Sequence, residues 1–246
     1  MHKGDFVEID FMGKIALTGE VFDLTSEEDA KKEGIHNPKH RYKPSLVIIG
    51  SNMAVPGVEK KLESMEVGEE KEFTLSPDEA FGQRNPKLIR IVPLSRFTKE
   101  KINPVPGMFV DIDGMQTKVL SVAGGRVRVD FNHPLAGKSL NYKVRIIRQI
   151  TAALEKVRSL LEYYGIKCEP RLDGDTLILE SEKPMNEYLK KFAGESVMKH
   201  IPEIKNVVFS EKETAKNEVD KSQPPATGDK AAPDKHEHKK HEQEKA

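Results

Sequence analysis

The sequence predicts an α+β protein. In order it has a mixed α+β unit, a small β-rich meander, a further strand leading into a second α+β unit, and a polar tail. Three observations lead there. Apolar and polar residues alternate with period 2 over 7–11, 70–75 and 139–150, the mark of half-buried strands. Between 84 and 137 the chain changes to short β-rich runs punctuated by Pro86, Pro93, Pro104, Pro106 and Pro134. Helical spacing dominates 153–164 and 185–200, whereas the last 36 residues contain no Phe, Tyr, Leu, Ile or Met.

The elements follow in order. Val7-Glu8-Ile9-Asp10-Phe11 is a strand, and Thr18-Gly19-Glu20 turns it into Val21-Phe22. Residues 27–33 suit a short exposed helix stopped by Gly34, since glycine tolerates the left-handed backbone of a helix end. Residues 45–49 form a short apolar strand. Val58, Leu62 and Met65 fall at i, i+4 and i+7, the inner face of a two-turn helix ending at Gly68. Residues 70–75 alternate again, with Phe73 and Leu75 inward. Runs at 108–112, 117–122 and 126–131, joined by Asp113-Gly114 and Gly124-Gly125, read as an antiparallel meander. The strand at 139–150 turns Leu140, Tyr142, Val144 and Ile146 to one side. A helix follows from Ala153 to Tyr164 and closes at Gly165. Residues 166–169 and 176–180 bracket Asp173-Gly174 as a hairpin, a helix covers 185–200, and a strand covers 204–209.

Composition excludes several function classes. The 246 residues carry 40 basic and 40 acidic side chains, which argues against a strongly basic nucleic-acid binder. No apolar run reaches the 18 residues of a membrane-spanning helix. The first residues form no apolar leader, and the lone Cys168 permits no internal disulfide; both fit a cytoplasmic protein. Cys168, in a run that reads as a strand, is expected to be a buried and inert thiol. No nucleophile elbow, phosphate-binding glycine loop or His-Glu-x-x-His pattern is present.

Five segments in order carry a family resemblance: Phe11-Met12-Gly13, Val21-Phe22-Asp23, Val55-Pro56-Gly57-Val58-Glu59, Met65-Glu66-Val67-Gly68-Glu69, and Ser76-Pro77-Asp78-Glu79-Ala80-Phe81-Gly82. Together they resemble the FKBP family of peptidyl-prolyl cis–trans isomerases. Val129-Asp130-Phe131-Asn132-His133-Pro134-Leu135-Ala136-Gly137 is similar to the end of the insert-in-flap chaperone domain of SlyD-type members, and 151–210 is similar to the C-terminal domain of long archaeal members. The resemblance implies an FKBP-like isomerase domain, an antiparallel sheet wrapped on a short helix, at 1–83 and 138–150, an inserted insert-in-flap chaperone domain at 84–137 and a C-terminal α+β domain at 151–210; the composition of 211–246 is that of a disordered charged tail.

It also implies a pocket lined by Phe11, Phe22, Asp23, Val47, Ala54, Val55, Val58, Phe81 and Tyr142. Val58 would be its floor, and the Val55 N–H the donor to the carbonyl preceding proline. No cofactor is required. Phe11 and Phe81 stand where the family usually has tyrosine, and Val58 where eukaryotic members often have tryptophan. The expectation is retained but modest activity; the alternative is a non-catalytic holdase with a degenerate pocket.

The insert is too small to bury all its large apolar side chains. Leu88, Ile89, Leu94, Phe97, Met108, Phe109, Val110 and Met115 are therefore expected to form an exposed face for unfolded clients carrying X–Pro bonds. The insert is basic, with 9 basic and 4 acidic residues, while the isomerase segments carry 14 and 17. His236, His238 and His241 in the tail suit weak Ni²⁺, Zn²⁺ or Cu²⁺ binding; the plainer reading is a solvated charged tail. Neither nucleic acid nor membrane is expected as a partner, and the sequence leaves the oligomeric state open.

Overall fold

The structure, a computed structural model, describes residues 1–211. The chain is α+β, with three sheets, each with its own cover. The first has five strands: β1 (Phe6–Ile15), β2 (Val21–Leu24), β3 (Ser45–Ile48), β4 (Glu70–Leu75) and β9 (Leu140–Ile150). They run antiparallel in the order β2-β1-β9-β4, with β3 beside the first half of β1. Between β2 and β3 lies α1 (Glu27–Lys32), capped by Ser26, whose hydroxyl accepts the Asp29 N–H at 3.2 Å. Helix α2 (Pro56–Glu63) packs on the sheet through buried Val58 and Leu62, and Met65 just beyond it is also buried. Pro56 at its first position costs no hydrogen bond, because a helix's first N–H groups have no intrahelical acceptor. Gly57 allows the approach: a Cβ there would stand 2.5 Å from Leu75 Cδ2.

The insert is a four-stranded antiparallel sheet in the order β5-β8-β7-β6, where β5 is Ile89–Pro93, β6 Phe109–Ile112, β7 Met115–Ala123 and β8 Arg126–Asp130. The expected three-stranded meander is thus corrected by a strand and by α3 (Leu94–Lys99), the helix that covers it. Pro93 ends β5 and caps α3. Proline is tolerated there because β5 is an edge strand.

The third sheet, β10-β11-β12, joins β10 (Glu169–Asp173) to β11 (Thr176–Ser181) antiparallel, and β11 to β12 (Asn206–Glu211) parallel. A parallel pair needs a crossover, here α5 (Glu187–His200), whose cap Asn186 accepts the Leu189 N–H at 2.7 Å. Helix α4 (Ala153–Tyr163) precedes this sheet. The hairpin's first strand lies at 169–173, later than the expected 166–169, because it must pair register for register with β11. Cys168 consequently precedes β10 and is only half-buried; burial pushes its thiol pKa up, as expected of an inert thiol.

Strand β3 divides the core. Val47 joins Val7, Ile9, Val58, Leu62 and Val144 inside the first sheet. Its neighbours Leu46 and Ile48 face away and pack with Phe6, Ile150 and the third domain's Val157, Leu160, Leu161 and Leu177. Alternating side chains on one strand thereby weld the third domain to the back of the first sheet. The insert keeps a separate core of Val92, Phe97, Val110, Ile112, Val119, Val127 and Val129.

That core corrects two expected client-facing residues. Phe97 is 3% exposed on the inner side of α3, and Val110 is 6% exposed. On β6 the period of two turns Phe109 and Asp111 outward and Val110 and Ile112 inward. Leu88, Ile89 and Leu94 are half-buried, and Met108, Phe109 and Met115 are exposed, with Ile91 and Val105 adding to the exposed set. His236, His238 and His241 lie outside the described residues.

Candidate functional site

All nine residues expected to line the pocket border one cavity of about 530 Å³. Strand β1 supplies Phe11, β2 supplies Phe22 and Asp23, β3 supplies Val47, and β9 supplies Tyr142. Ala54, Val55 and Val58 enter from the start of α2, and Phe81 follows a short helical turn, Pro77–Glu79.

The wall is an aromatic cluster centred on Tyr142. Phe22 meets it edge-on at 5.8 Å, Phe11 lies tilted at 6.3 Å, and Phe73 stacks on it at 6.2 Å outside the cavity. Gly13 makes room for Phe22: a Cβ on Gly13 would stand 2.3 Å from Phe22 Cζ. Thr25 ties down the strand crossing, since its Oγ1 accepts the Phe11 N–H and donates to Asp10 Oδ1, both at 2.9 Å. Burial pushes the Tyr142 hydroxyl pKa up to about 12, with a further contribution from nearby Asp23. Asp23 itself sits on the exposed rim, yet partial desolvation of its carboxyl raises its pKa, against an opposing backbone hydrogen bond from Leu24 and the charge of His40.

The floor is Val58, 3% exposed. Val55 is the N-cap of α2, in extended conformation, and its carbonyl accepts the Val58 and Glu59 N–H groups at 2.9 and 3.1 Å. Among the described residues no acceptor meets the Val55 N–H, so a donor at a helix start is left available for a ligand. Phe81 is placed by a capping box: Ser76 N–H and Oγ both bond Glu79 Oε2, at 3.0 and 2.7 Å.

Several lining residues escaped the sequence reading. Ile9, Ser45 and Met53 come from segments already in place, and Pro134 and Leu135 from the end of the insert. His133 also comes from the insert's end and lies face to face on Phe81, with centroids 4.3 Å apart and planes 1° from parallel. Its Nδ1 accepts the Leu135 N–H at 3.2 Å, so the neutral ring carries its proton on Nε2. Partial burial holds its pKa below the usual histidine range. Tyr163 reaches the rim from α4. The position of His133 in the closing motif of the insert was the one available signal; nothing in the sequence tied Tyr163 to the pocket.

The two stems of the insert meet beside this rim. Gly137 N–H donates to Gly82 O at 2.8 Å, and both glycines have positive φ, 75°. Arg84 grips Asp130 Oδ2 through Nε and Nη2 at 2.9 and 2.5 Å. Asn132 locks the stems by exchanging hydrogen bonds with the Asn85 backbone at 2.8 and 3.0 Å. Burial works to raise the Asp130 pKa, but the hydrogen bonds from Asn132 and Arg84 prevail and hold it low. The cleft outside the stems is lined by Phe109, Lys118, His133 and Pro134.

The cavity is apolar, aromatic-walled and furnished with one backbone donor, without an activated nucleophile. This suits isomerisation of an X–Pro amide, which breaks no covalent bond. Family comparison points the same way. Residues 1–95 match the FKBP-type peptidyl-prolyl cis-trans isomerase model, and residues 90–135 match the model of the FKBP26 IF domain. The short-type peptidyl-prolyl cis-trans isomerase of Methanocaldococcus jannaschii is 35% identical over 144 residues, 58% of this chain and 90% of that protein. The FKBP-type 16 kDa peptidyl-prolyl cis-trans isomerase of Escherichia coli is 30% identical over 146 residues, 57% of this chain and 91% of that protein. SlyD of Helicobacter pylori is 33% identical over 107 residues, 42% of this chain and 58% of that protein. With pocket and comparisons in agreement, the chain belongs to the FKBP-type peptidyl-prolyl cis–trans isomerases, in the SlyD-like branch that carries an insert beside the pocket.

Proposed function

We propose that this isomerase captures unfolded or partly folded chains on the exposed face of its insert and passes their X–Pro bonds to the adjoining pocket. The observation that carries the proposal is the cleft between the two. Phe109, 49% exposed on the insert, and His133, stacked on Phe81 at the pocket rim, line the same cleft. Met108 and Met115 are exposed elsewhere on the insert, and adaptable methionine side chains suit varied clients. A client held there meets the pocket at a raised effective concentration.

In the pocket, Phe11, Phe22, Phe81 and Tyr142 enclose the proline ring and Val58 supports it. Val55 N–H binds the carbonyl preceding proline, and Asp23 faces the pocket edge. The barrier, ~18–20 kcal/mol, comes from amide resonance lost as the C–N bond twists. Water hydrogen-bonded to the amide oxygen strengthens that resonance. Excluding water weakens it, and walls shaped to the twisted amide bind it better than either planar form. No general base is needed. The same pocket would work on clients in the cytoplasm, where the single cysteine suits a reducing environment.

Proline-limited refolding of a model protein tests this reading. Substoichiometric protein should accelerate the slow phase. Removing 84–137, with the stems bridged by a short turn, should abolish most of that acceleration while lowering tetrapeptide isomerisation only by the few-fold that the loss of His133 from the cavity wall accounts for. Equal loss on both substrates would sink the capture role.

A further inference from the structure

The prolyl cavity does not end at its aromatic wall. Tyr163, the last residue of α4, and Ser45, the first of β3, line it; the same two residues line a second hollow of about 240 Å³. Glu8, Pro44, Leu46 and Ser159 also line that hollow, with Lys43 and Glu162 at its edge. The two spaces therefore adjoin at Tyr163 and Ser45, and the hollow is a groove beside the pocket, between the start of β3 and the last turn of α4.

Three features make the groove a built surface. The Tyr163 ring is propped edge-on by Tyr164 at 5.1 Å, and Tyr164 is propped edge-on by Phe192 at 4.8 Å against the third domain's core. The ring therefore stays 46% exposed without collapsing. The Lys43 Nζ to Glu162 Oε1 ion pair, 2.7 Å, ties the two walls together. Leu46 lines the groove and also belongs to the core shared by β3 and α4, which fixes the distance between them. Apolar faces from Tyr163 and Pro44, with charge of both signs at the edge, suit an extended polypeptide better than a charged small molecule.

We propose that this groove is a subsite for the client segment flanking the X–Pro bond on one side, with Tyr163 as its specificity-determining contact. The third domain thereby takes part in substrate selection. The proposal rests on the prolyl pocket described above and commits to a continuous peptide, because the groove adjoins that pocket across Tyr163 and Ser45.

The test uses the full chain and two peptide series, each a tetrapeptide substrate lengthened on one side of its Xaa-Pro bond only. Wild-type kcat/KM should rise with length in one series and stay flat in the other. Tyr163→Ala should remove most of that rise, roughly tenfold at the longest peptide, and Tyr163→Phe should keep it. A photoreactive residue on the favoured side should crosslink within 43–46 and 159–163. Equal length dependence in both series, or a rise unchanged by Tyr163→Ala, overturns the groove. If the tetrapeptide rate still falls with Phe22→Ala in that case, the pocket reading stands; if it does not, the pocket reading fails as well.

Discussion

Phe81 and His133 lie face to face, 4.3 Å apart, although 51 positions separate them and one belongs to the isomerase domain while the other closes the insert. The insert therefore contributes part of the cavity wall. Removing the imidazole exposes one face of Phe81. A stacked aromatic contact is worth about 0.5–1.5 kcal/mol beyond its area. His133→Ala should accordingly lower tetrapeptide kcat/KM by a few-fold, about 2–12-fold on that scale, and His133→Phe should restore most of it. A Phe variant as impaired as the Ala variant would show that stacking is not the relevant contact.

The same imidazole sets a pH dependence. Burial holds the folded-state pKa of His133 low, and burial together with Lys199 does the same to His200. Below the ordinary histidine pKa of about 6.5, the unfolded chain binds protons that the folded chain resists. Stability should therefore fall as pH drops below that value and level off above it. Asp23 has the opposite sign in a more acidic window, because its folded pKa is raised. Thermal melts at pH 5 and 7.5 should show a lower Tm at pH 5. The His133→Gln, His200→Gln double variant should narrow the gap.

Gly13 carries a packing requirement. Any Cβ there collides with the Phe22 ring, at 2.3–2.9 Å from three of its atoms. Gly13→Ala should cost about 1–3 kcal/mol by overpacking and lower activity by displacing Phe22. Adding Phe22→Leu should recover stability but not activity. Recovery of both would mean that the Phe22 ring is not needed at the wall.

Arg84 tests the joint between insert and isomerase. Its removal leaves the largely buried Asp130 with Asn132 alone, at a cost of about 1–3 kcal/mol. Arg84→Ala should loosen the insert against the pocket, lowering acceleration of protein refolding several-fold while tetrapeptide kcat/KM stays within about twofold. Both rates falling together would place Arg84 in support of the pocket instead.

Leu46 and Val47 are adjacent on β3 and serve different cores. Leu46→Ala should lower Tm, with a loss of about 2–5 kcal/mol typical of a buried leucine, and leave tetrapeptide KM unchanged. Val47→Ala should raise that KM because Val47 lines the cavity. A shift in KM from Leu46→Ala would mean that the two faces of the strand are mechanically coupled.

Local pattern made much of this protein legible. Strand β4, the core face of α2 and the alternation along β9 follow from side-chain periodicity, which needs no tertiary partner to be recognised. The nine cavity residues were nameable because short motifs around them keep their order along the chain. Where sequence reading fell short, the missing information was an arrangement between distant segments. Strand β5 hid between prolines that only an edge position tolerates. Phe97 and Val110 looked as available as Phe109 until α3 and the pleat of β6 turned them inward.

His133 and Tyr163 carry no local mark of a pocket. Each reaches the rim only because a stem clamp or a shared core brings its element there. Periodicity records which face of an element is apolar, so pattern and composition along the chain were enough for the fold class. Which apolar faces meet depends on pairing, register and packing between segments far apart in sequence. The extension of the site by the insert and the third domain was therefore visible only in three dimensions.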